Sequence, residues 1–359
     1  MSIYVTKPFM PPIKEYINYI KDIYSSGILT NQGPLVTELE NKLSSYLGVK
    51  NVQYLTNGTI ALQLALAALD IDGGEIITTP FSYVATTTSI LWQRCTPIFV
   101  DIEPDNFTID VNKIEQAITP NTKAILPVHV YGYACDVEQI QKIAHKHNLK
   151  VIYDGAHAFA CRYNGKSLLD YGDISTLSFH ATKLFHTIEG GACIIKNKEI
   201  STKLELQKKF GHYYDEYRCV GINGKQTEFN AAMGLANFPY ISKIISERKR
   251  VSDLYEKELC NLVIRPKKQI NLEYNYAYYP VVFKSEEELL KIVDALKKYD
   301  IHVRRYFWPS LNTLNYLKNK FYCPVSEDIS SRIACLPLYP DLTNEDVLLI
   351  TKIIKENLQ

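Results

Sequence analysis

Leucine recurs every fourth position at Leu35, Leu39, Leu43 and Leu47, and Gly48 follows at once. That spacing predicts an amphipathic helix stopped by a glycine. Residues 13–26 also read as a helix. From residue 52 the pattern changes to short apolar runs separated by longer helical stretches. Strands are predicted at 52–55, 75–79, 97–100, 123–128, 150–153, 174–179 and 192–196. An Ala/Leu-rich helix runs from Asn57-Gly58-Thr59 to about Leu69, and further helices are predicted near 83–92, 111–118 and 136–147. Such an alternation predicts an α/β fold, a mostly parallel central sheet sandwiched by helices. Past about residue 240 the character shifts. A charged amphipathic helix over 241–260 leads to a strand near 277–283, a helix near 285–298, a strand near 301–305 and a last helix from about 343. The expectation is a large domain over 1–240 and a smaller C-terminal α+β domain over 241–359. The boundary falls within 235–250, and the N-terminal segment is a candidate to pack on the small domain.

Composition narrows the class. The 359 residues are 46% hydrophobic and 22% charged, as in a globular protein. A net charge of +1 predicts neither a nucleic-acid surface nor a polybasic membrane patch. No basic stretch followed by an apolar one opens the chain, and no apolar run approaches the roughly 18 residues of a membrane span. The eight cysteines are scattered without a C-x-x-C pair. They read as reduced thiols of a cytoplasmic protein, and no metal site is expected.

Three segments carry candidate chemistry. Asn57-Gly58-Thr59 joins a strand to a helix, where backbone N–H groups and the helix dipole suit a phosphate; an ordinary N-capped helix is the alternative. Asp154 ends the strand Val151-Ile152-Tyr153, and Lys183 follows the strand Leu177-Ser178-Phe179. Open α/β sheets bind ligands at the carboxyl ends of strands. Taken singly, the aspartate reads as a helix cap, His157 as a satisfied core histidine and the lysine as solvated. Together they suit pyridoxal 5′-phosphate (PLP): Lys183 for a Schiff base, Asp154 to keep the pyridinium nitrogen protonated, Gly58, Thr59 and Ser178 for the phosphate, Tyr83 for the ring face. A nicotinamide site is disfavoured, because no G-x-G-x-x-G follows the first strand.

These residues, in this order, resemble the DegT/DnrJ/EryC1/StrS sugar aminotransferases, within PLP fold type I. The resemblance runs nearly end to end. It includes Leu29-Thr30-Asn31-Gln32-Gly33-Pro34, Thr79-Pro80-Phe81-Ser82-Tyr83-Val84-Ala85-Thr86 and Pro127-Val128-His129-Val130-Tyr131-Gly132. It continues through Asp154-Gly155-Ala156-His157, Ser178-Phe179-His180-Ala181-Thr182-Lys183, Glu189-Gly190-Gly191 and Gly221-Ile222-Asn223. It implies that His157 stands where the family often has a glutamine bonding the cofactor's phenolic oxygen. It also implies that Asn223 reaches the phosphate of a neighbouring subunit, in a homodimer with its sites at the interface.

The implied reaction moves the amine of L-glutamate to the C4 keto group of dTDP-4-keto-6-deoxy-D-glucose, giving dTDP-4-amino-4,6-dideoxy-D-glucose for O-antigen or other surface polysaccharide. A C3 aminotransferase acting on a dTDP-3-keto-6-deoxyhexose is the alternative. A sugar dehydratase of similar build replaces the lysine with histidine, so Lys183 argues against it. A non-catalytic scaffold of the same fold is expected to lose Lys183 or Asp154. His180, His186 and Glu189 are candidates for sugar or water contacts, with support of the turn as the alternative. Arg305 and Tyr306, within Arg304-Arg305-Tyr306-Phe307-Trp308-Pro309, are candidates for the nucleotide's pyrophosphate or base; a strand end with solvated arginines is the plainer reading. Gly224-Lys225-Gln226 departs from the aromatic-Arg-Met more usual after the asparagine, which leaves interface contacts there open.

Overall fold

The structure, a computed structural model, describes residues 2–358. Strand β1 (Ile3–Tyr4) precedes α1 (Ile13–Ser26) and α2 (Pro34–Leu47). The alternation then runs β2 (Val52–Leu55), α3 (Gly58–Ala68), β3 (Glu75–Thr78), α4 (Val84–Trp92), β4 (Thr96–Phe99), α5 (Val111–Ile114), β5 (Thr122–Leu126), α6 (Val137–His147) and β6 (Lys150–Asp154). The small hairpin β7 (Arg162–Tyr163) and β8 (Lys166–Ser167) leads to β9 (Ile174–Ser178) and β10 (Gly191–Ile195). Next come α7 (Lys198–Gln207), the hairpin β11 (His212–Tyr213) and β12 (Glu216–Tyr217), α8 (Glu228–Asn237) and α9 (Ile241–Leu259). The C-terminal part holds β13 (Leu272–Glu273), β14 (Tyr279–Val282), α10 (Glu286–Lys297), β15 (Ile301–His302), α11 (Pro324–Arg332), β16 (Ile333–Leu336) and α12 (Asn344–Asn357).

The central sheet has seven strands in the order β2-β10-β9-β6-β5-β3-β4. All pairings are parallel except those of β10, which runs antiparallel to β2 and to β9. The connection from β9 to β10 contains no helix, and a parallel pairing would need a crossover. The strand therefore returns beside its predecessor. Helices cover both faces. One core packs α1, α2, α6 and α8 onto the sheet, and a second packs α3 on the other side.

Helix α9 joins two cores. Ile241 and Ile244 belong to the core of the large sheet, whereas Val251, Tyr255 and Leu259 belong to the C-terminal one. The latter is capped by β1, which pairs in parallel with β15 through Ile3 and Ile301. Among the described residues, no helix is long and apolar enough to cross a membrane.

Candidate active site

The carboxyl ends of β6 and β9, the start of α3 and the loop after β3 converge on a cavity of about 290 Å³. The C-terminal part closes it with Tyr278, Arg304, Tyr306 and Phe307. Strand ends gather there because each parallel strand hands its chain to a covering helix on the same edge of the sheet.

At one end lies the start of α3. Asn57 caps it, its Oδ1 accepting the Ile60 N–H at 2.9 Å. The first-turn amides of Gly58 and Thr59 have no intrahelical acceptor, which leaves them and the helix dipole for an anion. A Cβ on Gly58 would sit 3.0 Å from the Ser178 Cβ, so glycine lets α3 settle against the end of β9. Ser178 and Thr59 thereby bring hydroxyls to the same cradle.

Asp154 is buried at the end of β6. Its Oδ2 accepts from the Thr86 hydroxyl at 2.8 Å, and its Oδ1 accepts the Ala156 N–H at 3.1 Å. Burial raises the carboxyl above its ordinary pKa, and those two donors and Lys183 act against the rise. A carboxylate so enclosed calls for a cationic partner. His157 accepts the Tyr131 N–H on Nδ1 at 3.1 Å, so the proton of the neutral ring is on Nε2. Burial, with Lys183 nearby, holds its pKa far below the usual value, so the ring stays neutral. Burial also lowers Lys183, whereas Asp154, Tyr306 and Tyr83 raise it. The lysine is thereby biased toward the free amine that nucleophilic and base chemistry require.

The predicted residues divide into two groups. Gly58, Thr59, Tyr83, Asp154, His157, Ser178, His180, Lys183, Glu189 and Tyr306 all line the cavity. Tyr83 is 56% exposed and forms no ring contact among the described residues, which leaves its face available. His180 accepts the Thr182 N–H on Nδ1 and turns Nε2 to within 3.5 Å of the Glu189 carboxylate.

His186, Arg305 and Asn223 are not brought to the cavity. His186 is 2% exposed; its Nε2 donates to the Phe9 carbonyl at 2.7 Å, and its own carbonyl accepts from Asn237 at 3.1 Å. It ties the N-terminal segment to α8. Arg305 is pinned by Glu286 at 2.6 Å and by the Ser331 carbonyl at 2.5 Å. Its neighbour Arg304 lines the cavity instead and enters no ion pair among the described residues. Successive residues of an extended chain face opposite ways, so one of the two arginines had to turn outward. Asn223 is exposed and accepts from Lys225 at 2.6 Å. Thr86 and Tyr278 also contact the site residues: Thr86 lies within the run Thr79 to Thr86, whereas nothing local in the sequence points to Tyr278.

This donor set fits a phosphorylated pyridine aldehyde. The α3 amides, Thr59 and Ser178 suit its phosphate, Asp154 its ring nitrogen, the His157 Nε2–H its phenolic oxygen and Lys183 its aldehyde. A fold and site of this kind define an aminotransferase that works through PLP. Residues 12–355 match the DegT/DnrJ/EryC1/StrS aminotransferase family, and the chain belongs to that family. It is 41% identical to the dTDP-4-amino-4,6-dideoxy-D-glucose transaminase of Shigella dysenteriae, covering 99% of this chain and 98% of that one. DesI, solved in the presence of its TDP-sugar product, superposes with a TM-score of 0.93 at 28% identity, covering 99% of this chain and 92% of DesI. Spr1654 of Streptococcus pneumoniae, in its PMP form, gives a TM-score of 0.93 at 26% identity, with 99% and 98% covered.

Proposed function

We propose that this protein transfers the amine of L-glutamate to the C4 keto group of dTDP-4-keto-6-deoxy-D-glucose, forming dTDP-4-amino-4,6-dideoxy-D-glucose. The observation that carries the reading is the meeting of Lys183, Asp154 and the α3 amides in one cavity. The near full-length likeness to the Shigella dysenteriae transaminase supports the choice of substrate.

PLP, when bound, supplies an electron sink for the carbon whose C–H bond is broken. The rest of the work falls to side chains of this chain. The first-turn amides of α3, with Thr59 and Ser178, anchor the phosphate end. Asp154, its carboxyl oxygens hydrogen-bonded by Thr86 and Ala156, is the group that would hold a proton on the ring nitrogen. His157 donates from Nε2 and orients the ring's oxygen. Lys183 Nζ takes the proton from the amino donor's Cα and, in the second half-reaction, returns one to sugar C4. The aromatic residues of the C-terminal part limit water at that transfer. Arg304 is the cation placed for the sugar nucleotide's pyrophosphate.

The same reading makes the protein a cytoplasmic homodimer. Exposed Tyr214 and Tyr217 on the β11–β12 hairpin, near exposed Asn223, support a subunit contact there.

The test is incubation of purified protein with PLP, L-glutamate and dTDP-4-keto-6-deoxy-D-glucose, with the product resolved by mass spectrometry and NMR. A glutamate-dependent 4-amino sugar is expected. Amination at C3, or no amino sugar at all, refutes the assignment.

A further inference from the structure

Lys183 touches the C-terminal part of the protein through a buried tyrosine. The Tyr278 hydroxyl lies 3.4 Å from Lys183 Nζ, and among the described residues that lysine is its hydrogen-bond partner. Asp154, Tyr306 and Tyr83 act on Lys183 through charge, and His157 feels it in the same way. None of these four is hydrogen-bonded to Nζ among the described residues, whereas Tyr278 is.

The segment delivering Tyr278 is held firmly. Arg248 of α9 is 2% exposed and donates to the Ala277 carbonyl at 3.0 Å. The Tyr274 hydroxyl lies 3.0 Å from the Tyr131 carbonyl and 3.2 Å from the Tyr278 carbonyl, its one proton shared between them. Asn275 crosses to the large sheet's loops, donating to the carbonyls of His157 and Phe159, each at 2.8 Å, while its Oδ1 accepts the Ala277 N–H at 3.0 Å. The Tyr278 ring stands edge-on to His157 at 4.7 Å and against Tyr306 at 5.8 Å between centroids. A ring enclosed on these sides has no open rotamer to leave for.

A base that carries a proton between two carbons needs its lone pair aimed, and a lysine amine on four rotatable bonds does not aim itself. We propose that Tyr278 is the positioning residue of Lys183, its hydroxyl holding Nζ in line for proton transfer and its backbone fixing that geometry through Arg248 and Asn275. The hydroxyl accepts from the ammonium and donates to the free amine, so it serves both charge states without net proton loss. Burial raises the phenol's pKa and keeps it protonated throughout. The inference rests on reading Lys183 as the lysine that moves the proton.

The test uses the holoenzyme with Tyr278→Phe. Loss of one hydrogen bond at the reacting nitrogen predicts a roughly tenfold lower kcat, with KM for both substrates within about twofold. A second readout needs no cofactor: reductive methylation of Lys183 in the apoprotein against pH, followed by peptide mass spectrometry. The charge-assisted bond to the ammonium is the stronger of the two, so removing the hydroxyl moves that midpoint to lower pH. A third readout separates positioning from support of the fold. In Lys183→Ala rescued with methylamine, adding Tyr278→Phe leaves the rescued rate unchanged. Unchanged kcat and midpoint in Tyr278→Phe overturn the proposal, and so does an equal loss in the rescued background. Should Tyr278→Phe not fold, 3-fluorotyrosine at 278 keeps the shape, and an unmoved pH profile of kcat overturns the proposal. Activity surviving in Lys183→Ala without added amine refutes the reading of Lys183 itself. An inert Lys183→Ala beside a fully active Tyr278→Phe sinks this inference alone.

Discussion

Gly191 offers the most direct test of how the sheet builds the phosphate cradle. It opens β10 and pairs with Leu55 on one side and Ser178 on the other, directly beneath the turn into α3. A Cβ placed on it would lie 2.4 Å from the Asn57 carbonyl carbon, 2.5 Å from its oxygen and 2.7 Å from the Gly58 nitrogen. All three are backbone atoms, so no side chain can swing aside. Carbon atoms pack at about 3.5 Å, so Gly191→Ala must push the start of α3 back by about 1 Å. Overpacking of this kind costs about 1–3 kcal/mol, and backbone contacts place it near the upper end. The same shift misaligns the amides of Gly58 and Thr59. Losing about one charge-assisted hydrogen bond to the phosphate costs about 1.5–3 kcal/mol, or roughly 10- to 150-fold in Kd. The assay is titration of apoprotein with PLP, followed by absorbance, beside thermal melts with and without cofactor. Weaker binding and a smaller PLP-induced rise in Tm are expected. Wild-type affinity together with a wild-type melt would refute the argument that glycine is there to admit α3.

Asp154→Asn keeps the shape of the side chain and removes its charge, and kcat is expected to fall about a hundredfold or more; a near wild-type rate would remove Asp154 from the mechanism. Arg304→Gln should raise the KM of the sugar nucleotide roughly tenfold, the loss of a charge-assisted pair, while Arg305→Gln should leave KM alone and lower Tm, since it frees Glu286 and the Ser331 carbonyl. Reversed phenotypes in steady-state kinetics would show that the wrong arginine has been assigned to the cavity. Burial pushes the fully enclosed His129 imidazole down to about 3, from an ordinary 6.5. Between those values the unfolded chain binds the proton and the native state does not. This contribution to stability is therefore full above about pH 6.5 and is lost progressively as pH falls through the window. Urea denaturation of wild type and His129→Asn across that range should show a shallower acid slope in the variant, and parallel slopes would contradict it.

Much of this protein is written in short stretches of sequence. The leucine repeat in α2, the apolar runs of the parallel strands and the placement of Asp154 and Lys183 at strand ends are local, because side-chain period and turn chemistry depend on neighbours in the chain. Helix α8 carries no such local mark. Its residues from Ala231 to Asn237 are buried on every side, so no polar face marks a period. What the sequence by itself determined was the kind of elements present and the residue types at their ends. What only the tertiary structure decided was direction and partnership. The isolated pairing of Arg304 with Cys335 turns Arg304 toward the cavity and Arg305 away from it. His186 lies within the lysine turn, yet it is folded under the N-terminal segment. Tyr278 reaches Lys183 from 95 residues away along the chain. Such contacts are fixed by how separate elements pack, and chain order carries no direct record of that packing.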